Sequence, residues 1–139
     1  MKSIRIAIID YADSPANRID IGGALGHGFE LTGHEQQSSR IAALCEGHTS
    51  DVVLISARQP MTELATIARN IAEKCPDVRV IVLSISPDIG LIRSLLILGV
   101  TGILLAEETM DCLPYVVRAV YSGKTVLSPA VAQLLLSGG

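Results

Sequence analysis

The sequence predicts one doubly wound α/β domain on a five-stranded parallel sheet, and three observations lead there. Five short apolar runs, Ile4 to Ile9, Phe29 to Gly33, Val52 to Ser56, Arg79 to Ser84 and Gly102 to Leu105, read as strands rich in β-branched residues. Helical patterns lie between them, so strands and helices alternate, which calls for a parallel sheet covered on both faces. The chain's 139 residues are enough for one core and too few for two ordinary ones.

Each element has its own signal. The first strand ends at Asp10, and Ser14-Pro15 reads as the N-cap and first residue of a helix. Gly22, Gly23 and Gly26 weaken that helix, each costing about 1 kcal/mol relative to Ala in a helix interior. Phe29 to Gly33 alternates like an edge strand, and Ser38 or Ser39 caps a helix through Ile41, Ala42, Leu44 and Cys45 that stops at Gly47. After the buried strand Val52 to Ser56, Pro60 opens a helix with Leu64, Ile67, Ala68 and Ile71 at helical spacing, and Pro76 closes it. The strand from Arg79 ends in Ser84. Asp88 to Leu98 is a helix ended by Gly99, and Asp111 caps a last long helix to Ser122, with Pro114 tolerated in its first turn. Pro129 to Leu136 reads as a short exit helix. Residues 1–124 are therefore expected to form the domain and 125–139 an exit segment.

Composition narrows the function classes. Apolar residues make up 49% of the chain and aromatics 3%, so the core is built from Ile, Leu, Val and Ala. A net charge of -3 supplies no basic field for a phosphate backbone, so this part of the chain is not expected to contact nucleic acid. The most apolar run, Ile89 to Leu98, is interrupted by Gly90, Arg93 and Ser94 and falls short of the roughly 20 residues of a membrane span. Cys45, Cys75 and Cys112 are odd in number and far apart, which reads as reduced thiols in a cytoplasmic protein. Cys45-Glu-Gly-His48 lacks a second ligand pair, and Gly22-Gly-Ala-Leu-Gly-His-Gly28 does not directly follow the first strand as a dinucleotide loop must. No metal or cofactor is expected.

Ligands in open α/β sheets sit at the carboxyl ends of the strands, where this chain has Asp10, Ser56, Ser84 and Leu104-Leu105-Ala106. Together with Ile4-Arg-Ile-Ala-Ile-Ile-Asp10, Asp51-Val-Val-Leu-Ile55, Pro76-Asp-Val-Arg-Val-Ile-Val-Leu-Ser84, Gly99-Val-Thr-Gly-Ile-Leu-Leu105 and Gly123-Lys-Thr-Val-Leu-Ser-Pro-Ala130, these positions resemble a response-regulator receiver domain of the NarL/LuxR type over nearly the whole chain. The resemblance implies a flavodoxin/CheY-like fold and a helix-turn-helix DNA-binding domain beyond residue 139. It also marks departures. The family's phosphate-accepting aspartate aligns with Ser56, one of its paired acidic residues with Tyr11, its lysine with Ala106 and its switch aromatic with Ile103; Asp10 and the hydroxyl at Ser84 remain.

A carboxylate attacks a phosphoryl group directly, whereas a serine hydroxyl needs a base, and none adjoins Ser56 in sequence. Magnesium prefers several oxygen ligands and here keeps one carboxylate. Losing lysine and metal removes most of the electrostatic stabilisation on which phosphoryl transfer depends. The expectation is a non-enzymatic regulatory domain that dimerises and relays a state without aspartyl phosphorylation. Leu91, Leu95, Ile97 and Leu98 extend the apolar surface around the Asp88 to Leu98 helix beyond a stripe of Ile89, Ile92 and Leu96, and are expected to be covered in part by a partner. Ile103, Tyr115, Arg118 and Tyr121 complete the candidate interface of a homodimer. Competing readings are a small-molecule sensor using the vacated pocket, in which Ser56 and Ala106 leave room for a neutral ligand, and a scaffold for a second regulator.

Overall fold

A computed structural model describes residues 3–10, 28–35, 50–56, 64–85, 88–105 and 112–137. Strands β1 (Ile4–Asp10), β2 (Phe29–Glu35), β3 (Val52–Ser56), β4 (Arg79–Ile85), β5 (Gly102–Leu105) and β6 (Val126–Leu127) form one sheet in the order β2-β1-β3-β4-β5-β6, with every pairing parallel. The described helices are α1 (Leu64–Lys74), α2 (Ile89–Ile97), α3 (Leu113–Tyr121) and α4 (Pro129–Ser137). The expected doubly wound sheet is present, with one strand more than expected. Val126 and Leu127 pair with Gly102 and Ile103, and a two-residue run is too short to show any strand period in sequence.

Strand alternation divides the core between the two faces of the sheet. Ala7, Ile9, Val53, Ile55, Val80, Val82, Ile103 and Leu105 face α1, α2 and α4. Ile4, Ile6, Ile8, Val52, Leu54, Ile81, Leu83 and Leu104 face α3. Because both faces are covered, the strands read as continuous apolar runs rather than alternating ones.

The helices follow from the same rule at a different period. Leu64, Ile67, Ala68 and Ile71 are the buried residues of α1. Asp88 caps α2 by accepting the Leu91 N–H at 3.1 Å, and Gly99, at φ 97°, ends it. The cap of α3 is Cys112 rather than Asp111, so the helix starts later than expected, with Pro114 in its first turn. Asp111 lies outside the described residues, as do the helices expected after Ser14 and Ser38, the helix start at Pro60, Arg58, and the Cys45 to His48 pair. β2 runs on past Gly33 to Glu35. A register shift between Ile6 and Ala7 leaves Thr32 as the extra residue, and its hydroxyl donates to the Ile6 carbonyl at 3.2 Å and shares a hydrogen bond with the Ser50 hydroxyl at 2.7 Å.

The cysteine expectation needs correction. Cys75, buried directly after α1, is disulfide-bonded, whereas Cys112 keeps its thiol. Bridging depends on the spatial approach of two Cβ atoms, which spacing along the chain does not reveal.

At the amino edge of the sheet Asp51 joins three strands. Its carboxylate accepts the Arg5 backbone N–H at 2.9 Å and the Arg5 guanidinium at 3.1 Å, its own N–H donates to the Arg5 carbonyl, and its carbonyl accepts the Arg79 N–H. The Arg5 pKa is raised by the hydrogen bond to Asp51 and by that carboxylate's charge. Asp51→Ala strips an acceptor from a β1 backbone amide and is expected to lower Tm, with Asp51→Asn recovering part of the loss through its remaining carbonyl oxygen. Equal Tm values for the three proteins in a thermal melt would contradict this role.

Candidate functional site

The registers bring the predicted site positions to one edge. Asp10, the last residue of β1, pairs with Ser56, the last of β3, and Ser56 pairs in turn with Leu83. Ser84 is therefore one residue farther along β4, and Ile85 pairs with Leu105 at the end of β5. The carboxyl ends of four adjacent strands thus carry Asp10, Ser56, Ser84 and Leu105 side by side, the edge at which parallel sheets build their sites. Tyr11 and Ala106 lie outside the described residues, as do the side chains of Asp10, Ser56 and Ser84.

The candidate interface residues separate into two groups. Leu95 and Ile103 have 0% exposure and belong to the core beneath α2 and α4, so they are not surface residues. The buried stripe of α2 is centred on Ile92 and Leu95, with Leu91, Leu96 and Leu98 half-buried against the same core. Ile89 is also half-buried, while Gly90, Arg93, Ser94 and Ile97 face solvent. The helix is therefore apolar over roughly half its circumference, the usual pattern for one packed on its own sheet. Most of the surface expected to need a partner is used internally, because whole-helix hydrophobicity does not report the phase in which a helix docks. Ile97 is the exception, at 85% exposure.

Tyr115 and Tyr121 on α3 are exposed, at 67% and 43%. Arg118 between them is exposed too, but its guanidinium stacks over the Phe29 ring, 4.8 Å from the centroid, tying α3 to the start of β2. A shallow groove of about 460 Å³ beside them is lined by Pro114, Tyr115, Arg118, Ala119, Ser122 and Lys124. Sequence reasoning missed the Arg118–Phe29 stack and the Arg5–Asp51 pair. The second left a trace, since each charge sits at the amino end of an otherwise apolar run.

No family model matches the sequence. The transcriptional regulatory protein DegU of Brevibacillus brevis is 30% identical over 108 residues, 78% of this chain and 46% of DegU. The receiver domain of the response regulator NarL from Mycobacterium tuberculosis superposes with a TM-score of 0.74 at 23% identity, over 89% of this chain and 100% of that one. The chain has the fold of a response-regulator receiver domain. A further receiver fold, in the response regulator RcsB of Salmonella typhimurium, matches with a TM-score of 0.82 at 21% identity over 98% of this chain and 67% of that one. The chain spans about half the length of the curated relatives it matches. Among its described residues no helix is long and apolar enough to cross a membrane.

Proposed function

We propose that this receiver domain is the regulatory part of a transcriptional regulator that works without aspartyl phosphorylation, as a homodimer, and reaches DNA through a separate domain. The observation that carries the reading is the serine that ends β3 in register with Asp10. At that position an attacking carboxylate is replaced by a hydroxyl with no base next to it in sequence, and the metal and lysine partners are reduced to Asp10 and Ala106. The role is regulatory rather than enzymatic. RcsB is known as dimers bound to DNA, which supports the same assembly here. The exposed Tyr115, Arg118 and Tyr121 on α3, with Ile97 on α2, are the residues through which two copies would meet.

The test is sedimentation equilibrium and intact-mass spectrometry of the domain, alone and with magnesium and acetyl phosphate. The expected result is a dimer of unchanged mass and association state under both conditions. A phosphoryl adduct, or a change in association with the phosphodonor, overturns phosphorylation independence. A monomer throughout overturns the dimer.

A further inference from the structure

Residues 126–137 hold to the sheet through a short strand and a short helix. β6 contributes only two residues, and α4 packs chiefly on β5 and β6. α4 has nine residues, with no acidic residue in its first turn and no basic residue in its last. Its cap is the Ser128 hydroxyl, which accepts the Val131 N–H at 3.4 Å, a long hydrogen bond. Isolated helices shorter than about 12–15 residues are marginal in water, so α4 owes its helicity to its seat. That seat is apolar: Val131 is fully buried, with Leu134 and Leu135 half-buried against the cluster containing Ile103 and Leu105. The fit is incomplete, leaving a groove of about 340 Å³ lined by Leu105, Ala130, Gln133, Leu134 and Ser137.

Leu105 belongs to two places at once. It ends β5 at the edge that carries Asp10, Ser56 and Ser84, and it lines the groove under α4. We propose that residues 126–137 form an order–disorder latch: β6 and α4 leave the sheet as one unit and lose their structure while the remaining strands stay folded, and Leu105 holds them seated. Any displacement of the carboxyl end of β5 then changes the seat directly, with no aromatic rotamer as intermediary. The latch rests on the regulatory reading for its purpose, since it supplies the relay which that reading needs. Its physics is independent of whether the domain accepts phosphate.

Amide hydrogen exchange on the 139-residue chain tests it without any phosphodonor. In the unsubstituted protein the amides of residues 131–137 should exchange faster than those of β1 and β3. Leu105→Ala and Leu134→Ala should each speed exchange in α4 by about tenfold or more without altering β1 or β3, and the double variant should fall short of the product of the two because the residues share one groove. Glu73→Ala, on the exposed face of α1 and outside the groove lining, should change nothing. Equal protection of α4 and the central strands, unchanged α4 exchange in Leu105→Ala, or parallel acceleration of all amides would each overturn the latch. Should Leu105→Ala fail to fold, Leu134→Ala on the latch itself decides. Because phosphodonor is absent, failure here leaves the sedimentation result standing, and a phosphoryl adduct there leaves the latch standing.

Discussion

Leu95→Ala is expected to lower the unfolding free energy by about 2–5 kcal/mol, whereas Ile97→Ala, two residues farther along α2, should change that of the dissociated monomer by less than about 0.5 kcal/mol. Both residues are large aliphatics in the same helix, and their difference lies wholly in packing. Leu95 is fully enclosed in the core beneath α2, so its truncation leaves a cavity whose lining loses contacts that only partial collapse restores. Ile97 stands among Gly90, Arg93 and Ser94 on the solvent face, and its loss removes almost no buried area. Urea unfolding with a common m value measures both. Similar losses for the two variants would mean that α2 docks in another phase, or that Ile97 is covered by a second copy at the protein concentration used; repeating the measurement at a tenfold lower concentration separates these.

Gly102→Ala is expected to destabilise by about 1–3 kcal/mol, and Gly102→Val by more, although alanine and valine suit a strand better than glycine does in isolation. Gly102 pairs with Ile81 across β4 and β5, and a Cβ placed on it would lie 2.8 Å from the Ile81 Cγ1 and 3.1 Å from its Cγ2. Ile81 is fully buried against α3, so it has little room to retreat. Removing both γ carbons should relieve the collision. The Gly102→Ala/Ile81→Ala double variant should therefore lose less stability than the sum of its singles, and strict additivity would show that the close approach carries no energy. The glycine is required by contact rather than by backbone conformation, unlike Gly99 and Gly123, which follow α2 and α3 at positive φ.

Much of the fold was legible because its signals are local. The β-branched run from Val52 to Ser56, the i, i+3, i+4, i+7 spacing from Leu64 to Ile71 and the Asp88 and Gly99 stops each depend on residues within one element, and the observed strands and helices follow them. The edge that carries the candidate site was legible, since a strand's carboxyl end can be read from where its apolar run stops, as at Asp10, Ser56 and Leu105. The readings that failed needed a particular neighbour from a distant element. Leu95 and Ile103 were taken for surface residues and Val126-Leu127 for plain connecting chain, and each is corrected by a partner remote in sequence.

By itself the sequence determined the order of strands and helices and the aliphatic character of the core, because these depend on composition and on periods of 2 and 3.6 residues along one chain. The tertiary structure alone decided the strand order that sets Asp10 beside Ser56, the docking phase of α2 that buries Leu95 and exposes Ile97, the stacking of Arg118 on Phe29, and the seating of α4 on Leu105. The physical reason is common to all four. Burial and register are properties of pairs of elements, and the free energy that selects them is gained only when surfaces far apart in sequence exclude water together.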